Sequence, residues 1–148
     1  MQCLQALPDQ ENCTDMAEPR LIYLPKIPDD RGNLTYVEEI KHIPFIINRV
    51  YWIYDVPGGE FRGSHAFRRN EELIAALSGS FDVVLHDGRR EYRFSLHRSY
   101  DGVYVPNMVW RRLENFSTNS LAIVLSSTNF DPDDYIRDFD RFMKEASR

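Results

Sequence analysis

Gly59-Glu60-Phe61-Arg62-Gly63-Ser64-His65-Ala66-Phe67 is the stretch of this 148-residue chain whose reading decides the fold. It leaves a break at Val56-Pro57-Gly58-Gly59 and enters a strand pattern among aromatic residues. That context sets His65 apart from the other three histidines. His42 lies in a loop-like stretch before Pro44, His86 sits beside the turn at Asp87-Gly88, and His97 is on the polar phase of its strand. Those three positions suit surface residues.

Working outward, the chain reads as short strands at short intervals. Upstream, Leu21 to Leu24 is a short apolar run, Pro25 to Gly32 a turn-rich loop, and Leu34 to Glu39 a candidate strand. Val50, Trp52 and Tyr54 alternate with Tyr51 and Ile53, and both sets are apolar or aromatic, which predicts a strand covered on both faces. Downstream, Leu73 to Leu77 ends at Ser78-Gly79-Ser80, and Phe81 to Leu85 runs into the hairpin signal Asp87-Gly88. Tyr92, Phe94 and Leu96 then alternate with Arg93, Ser95 and His97, as in a strand with one wet face. Val103-Tyr104-Val105 stops at Pro106, and Leu121 to Leu125 reads as a last buried strand. So many short strands with regular turns predict a sandwich or a closed barrel.

At the C-terminus the period changes. Asp131 suits an N-cap, Pro132 the first helical position, and Asp133 and Asp134 the positive end of the helix dipole. Tyr135, Ile136, Phe139, Phe142 and Met143 fall on one stripe, so a short helix capping an open end of the barrel is expected. Residues 1–20 are polar and unpatterned and read as a loose tail before a single domain over 21–148. At this length folding buries roughly two-thirds of the unfolded chain's surface, enough for a core without staples.

The net charge of −5 gives no footprint for nucleic acid or an anionic membrane, although local arginines could still hold a small anion. No apolar run approaches the ~20 residues of a membrane span, and the opening residues lack a secretory signal. Cys3 and Cys13 both lie in the tail and read as free thiols of a cytoplasmic protein.

At His65 the spacing resembles the first motif of the cupin superfamily. Gly59 is followed by five residues, then His65-Ala66-Phe67, four more, Glu72, six more, and Gly79. Only the motif's second histidine is changed, to Phe67. The second motif falls on Pro106, Met108, Arg111 and Asn115, where the Pro and Asn match and the Gly and His do not. The resemblance implies an all-β fold, a cupin or double-stranded β-helix (jelly-roll barrel), with the short helix behind it. Metal-dependent cupins bind their ion through three histidines and a glutamate, positions held here by His65, Phe67, Arg111 and Glu72. A phenyl ring cannot donate to a metal and a guanidinium repels one. No metal site and no cofactor are therefore expected.

From about Leu21 to Phe142 the chain also resembles the sugar 3,4-ketoisomerases acting on dTDP-4-keto-6-deoxyglucose. Arg49-Val50-Tyr51, Arg62-Gly63-x-His65-Ala66, Pro106-x-x-Val109-Trp110, Asn115-Phe116-Ser117 and Asp134-Tyr135-Ile136-Arg137-Asp138 carry this likeness. It implies a metal-independent enzyme, a homodimer, bringing a nucleotide-linked ketone from C4 to C3 for deoxyamino-sugar and surface-glycan synthesis. In that frame His65 is the base, since an imidazole near neutral pKa suits an enediol shuttle. Arg62 and Arg111 stabilise the enediolate or hold the diphosphate, and Tyr51, Phe67 and Glu72 complete the substrate-binding set. Such enzymes carry a second histidine where this chain has Phe67. Three outcomes stay open: His65 shuttles alone, the enzyme takes a related nucleotide sugar, or the domain is a non-catalytic module that binds one, with Phe67 stacking on a sugar or base face.

Overall fold

The computed structural model of the chain describes residues 17–147. Most of the expected tail lies outside them, as do Cys3 and Cys13; Arg20 already opens the first strand. The strands are β1 (Arg20–Tyr23), β2 (Lys26–Ile27), β3 (Leu34–Thr35), β4 (Arg49–Tyr54), β5 (Arg62–Phe67) and β6 (Glu72–Ser78). They continue with β7 (Phe81–His86), β8 (Glu91–Leu96), β9 (Asp101–Val105), β10 (Trp110–Glu114), β11 (Leu121–Ser126) and β12 (Tyr135–Ile136), before the helix α1 (Phe139–Ala146). Two five-stranded sheets form, ordered β1-β9-β6-β11-β4 and β12-β5-β10-β7-β8, while β2 and β3 pair as a ribbon. This is the jelly-roll barrel of the cupins.

Side-chain period two builds the interior. Ile74 and Ala76 of β6, Val103 and Val105 of β9, and Ala122 and Val124 of β11 point inward from the first sheet. They meet Phe81, Val83, Leu85 and Leu113 from β7 and β10 of the second. The same phase carries polar side chains inward at one end of the barrel. Across the first sheet Glu72 pairs with Ser126 of β11, and Ser126 with Arg49 of β4. Across the second, His65 pairs with Arg111 of β10, and Phe67 with Tyr135 of β12. A polar layer thus caps an apolar one, and that end holds the site described below.

The opposite phase of the first sheet, Leu73, Tyr104 and Leu125, is covered by Leu24, Ile43 and Phe45 from the segment wrapping around it. This cover stops short of β4. Val50, Trp52 and Tyr54 stay 46%, 59% and 61% exposed, so the strand is covered on one face only. β4 is the sheet's edge, and no described segment reaches past it. The candidate strand over Leu34 to Glu39 shortens to β3, because Thr35 and Leu34 have only the two residues of β2 to pair with.

The C-terminus also differs from its sequence pattern. Asp131 does cap a turn, accepting from the Asp133 backbone N–H, but the turn is a single 3-10 one over Pro132–Asp134. Tyr135 and Ile136 then pair with Phe67 and Ala66. The ladder wins over the helix because Asp134 is spent on β5's exit. Its buried carboxylate accepts from the backbone N–H groups of Arg69 (2.8 Å) and Asn70 (3.1 Å), and its carbonyl accepts from Arg68 N–H (3.0 Å). α1 begins later, with Asp138 as its N-cap. Phe142 packs with Ala66 and Ile136, flanked by Met108, Trp110 and Met143, so the helix covers the outer side of the second sheet rather than a barrel end.

Candidate active site

β5 leaves the Gly58-Gly59 turn and enters the second sheet with Gly63, His65 and Phe67 on its inner phase. Gly63 has φ +69°, and a Cβ there would stand 2.3 Å from Nη1 of Arg111. Only glycine combines that backbone with that approach. The space it leaves lets the Arg111 guanidinium lie against β5.

Arg111 is 2% exposed, and its charge is matched inside the barrel. Its Nε lies 2.5 Å from Oε2 of Glu72, which is itself 1% exposed. Its Nη2 donates to the Tyr51 hydroxyl (2.6 Å) and to Glu72 Oε1 (3.3 Å). The Tyr51 hydroxyl in turn donates to Glu72 Oε1 at 2.5 Å. A buried ion pair persists when its partners are well placed and hydrogen-bonded, and here the Tyr51 hydroxyl bonds both of them. Burial, reinforced by Glu72, pushes the Tyr51 phenol well above its ordinary ionisation range. Two of the positions that hold metal ligands in metal-dependent cupins are thus engaged with each other, guanidinium to carboxylate.

His65 is 7% exposed and belongs to an aromatic trio. Its ring meets Phe67 edge-on at 4.7 Å and Tyr135 at 4.9 Å, and those two meet each other at 4.6 Å. Nδ1 is buried without a hydrogen-bond partner, which leaves Nε2 as the nitrogen facing the cavity. Burial, then the charges of Arg111, Arg137 and Arg49, hold the imidazole down to about 2. It is therefore neutral across the working range and has a lone pair to accept a proton.

In front of these groups opens a cavity of about 470 Å³. Arg49, Arg62, Arg111 and Arg137 line it, with Tyr51, Trp52, Phe130, Tyr135 and His65. No acidic residue lines it; Glu72, behind the wall, offsets one of the four cations. Arginines of this density on a concave, partly aromatic surface suit an anion joined to a ring. A larger groove of about 820 Å³ lies on the outer face of the first sheet, between Leu73, Ile123, Leu125 and Tyr36. It has His97 and Arg98 at its edge but no buried base, so the smaller cavity is the one equipped for chemistry.

Of the six residues singled out in the sequence, Tyr51, Arg62, His65 and Arg111 line this cavity. Phe67 and Glu72 lie behind the lining, where Phe67 supports His65 and sits 5.8 Å from the Arg111 guanidinium, and Glu72 holds Arg111. Among the lining residues that went unnoticed as site residues are Arg49, Phe130, Tyr135 and Arg137. Two signals existed. Arg49 is two residues from Tyr51 on the same strand phase, and Arg137 follows Tyr135 at the same interval, its guanidinium 4.3 Å from that ring.

Comparison with known proteins gives consistent findings. A family model described as WxcM-like, C-terminal (FdtA) matches residues 17–147. A TDP-4-oxo-6-deoxy-alpha-D-glucose-3,4-oxoisomerase from Aneurinibacillus thermoaerophilus is 42% identical over 131 residues, covering 88% of this chain and 94% of that protein. A 3,4-ketoisomerase from Helicobacter canadensis superposes with a TM-score of 0.85 at 34% identity, covering 88% of this chain and 98% of that one. A sugar 3,4-ketoisomerase from Thermoanaerobacterium thermosaccharolyticum, solved in complex with TDP, also gives 0.85, at 32% identity, over 89% and 96%.

Proposed function

The chain belongs to the WxcM-like, C-terminal family (FdtA), and from that premise we propose that it is a metal-independent 3,4-ketoisomerase of a TDP-linked 4-keto-6-deoxyhexose. The observation that carries this reading is the placement of His65. It is the one imidazole on the cavity wall, and it is flanked there by arginines. A ketone moving from C4 to C3 requires a base for the C3 proton and support for the negative charge that appears on oxygen. His65 is that base. Arg111, fixed by Glu72 and Tyr51, faces the sugar from the cavity floor and supports the enediolate. Arg62, with Arg49 and Arg137, takes the diphosphate. Phe67 and Glu72 act indirectly, through the residues they hold.

The relatives favour turnover over a module that only binds, since the curated and solved ones are isomerases along nearly their whole length. Among the described residues no helix is long and apolar enough to cross a membrane. We place the enzyme in the cytoplasm, in deoxyamino-sugar synthesis, as a homodimer. The exposed Val50, Trp52, Tyr54 and Leu77 form the apolar face that a second copy would cover.

The test is incubation with TDP-4-keto-6-deoxyglucose and identification of the product by NMR. The wild-type chain shifts the ketone, and His65→Asn abolishes the shift while still binding TDP. Unchanged substrate with folded wild-type protein would sink the proposal.

A further inference from the structure

Ketone transfer moves more than the carbon-bound proton. As C3–H leaves to a base, its electron pair becomes the C3=C4 bond and the carbonyl pair moves onto O4, which must gain a proton. As C4 then gains a proton, the O3–H proton must leave and C3=O forms. His65 can serve both carbons, taking from C3 and returning to C4. The two oxygens need a second carrier, and Phe67, next to His65 on the inner phase, cannot be one.

Two phenols line the cavity, and they differ in what their hydroxyls do. That of Tyr51 is committed: it donates to Glu72 at 2.5 Å and accepts from Arg111 at 2.6 Å. Giving up its proton would set a phenolate against a buried carboxylate. That of Tyr135 has no hydrogen-bond partner among the described residues. Its ring is held by the pairing with Phe67 and stands edge-on to His65 at 4.9 Å. The Arg137 guanidinium lies over the same ring, 4.3 Å from its centroid.

We propose that Tyr135 is a second catalytic residue, carrying the proton between the two oxygens of the sugar. It gives its hydroxyl proton to O4 while His65 removes C3–H, and its phenolate takes the O3 proton while His65 delivers to C4. Both side chains return to their starting states, and no oxidant or reductant is used. The assignment rests on the isomerase reading above.

The experiment is Tyr135→Phe in the full chain, followed in D2O with TDP-4-keto-6-deoxyglucose. NMR reads product formation and deuterium entry at C3 separately. The ring and its packing are kept, and calorimetry with TDP checks that the variant still binds. The expected result is turnover lower by about a hundredfold, KM nearly unchanged, and deuterium entry at C3, where Arg111 still supports the charge on O4, falling less than product formation, which also needs an acceptor for the O3 proton. A Tyr135→Phe/Phe67→His chain, which restores a proton carrier beside His65, is expected to regain part of the turnover. Tyr135→Phe with turnover close to wild type overturns this assignment and leaves the isomerase reading intact. A wild-type chain that neither makes product nor exchanges C3–H overturns both.

Discussion

Replacing Glu72 by Gln would test the arrangement that holds the cavity floor. The change keeps the shape and the oxygen that accepts from Tyr51, and removes only the charge that faces Arg111 at 2.5 Å. Both side chains are almost wholly inaccessible, at 2% and 1% exposure, so water cannot take over the lost interaction. Breaking one partner of such a buried pair costs about 3–5 kcal/mol. The retained Tyr51 contact puts this variant near the lower end, about 3 kcal/mol. For a domain of this size 1 kcal/mol shifts Tm by about 4 °C, so the melting temperature should fall by about 12 °C. Urea denaturation of wild type and variant measures the difference directly. Replacing both partners, Glu72→Met with Arg111→Met, leaves no unpaired charge and should return stability to within about 1 kcal/mol of wild type. Ketone transfer should stay lost in that double variant, because the guanidinium is gone. A Glu72→Gln chain destabilised by less than about 1 kcal/mol would refute the account, since a pair worth so little belongs to exposed surfaces. So would a double variant as unstable as the single one.

His65 should make the fold acid-sensitive. Its folded value is depressed from the ordinary 6.5 to about 2, so below 6.5 the unfolded chain binds a proton that the folded chain refuses. Stability is then lost as pH falls through that window, by about 1.4 kcal/mol per unit from this group. His65→Asn should lose less between pH 6.5 and 4.5, and bound TDP should shrink the loss in wild type; equal losses in all three would contradict this. Separately, Trp52→Glu, placing a charge on the exposed face of β4, should convert a dimer to monomers in sedimentation, and an unchanged dimer would move the interface elsewhere.

How legible the site was in the sequence depends on how far apart its parts lie along the chain. His65 and Glu72 are seven residues apart, yet they enter the barrel interior from two different sheets, β5 and β6. The spacing Gly59, His65, Glu72, Gly79 records that short crossing, which is why a linear motif could carry it. Arg111 could be placed too, because its strand begins after Pro106 at a regular interval. Arg49, Phe130 and Arg137 reach the same cavity from distant segments, and only the closed barrel brings them together. Tyr135 was hidden by ambiguity: with Ile136, Phe139, Phe142 and Met143 it satisfies a helical stripe. Local signals favoured the helix, and the ladder to Phe67 and Ala66 overrode them. β4 misled differently. Two apolar phases imply two covers, but the second cover is not supplied by the described part of the chain.

In the proposed reaction the arginines bear on how a buried imidazole would serve as the base. Alone, an imidazole held at about 2 is a feeble acceptor for a carbon-bound proton, and burial together with Arg111, Arg137 and Arg49 keeps it so. Of these, Arg111 is already matched by Glu72, whereas Arg49 and Arg137 face the cavity with no carboxylate lining it. A diphosphate bound between them, as proposed, would supply the missing negative charge, weaken their field at His65 and raise its proton affinity. Closure by the substrate body deepens the desolvation at the same time, which opposes ionisation. Burial is the larger cause of the depressed value, so the anion would relieve the share that Arg137 and Arg49 contribute. The residues that recognise the nucleotide end would therefore also set the strength of the base, and an arginine removed from the mouth would act on turnover as well as on binding. That dual role accounts for a pocket built from guanidinium groups around one histidine.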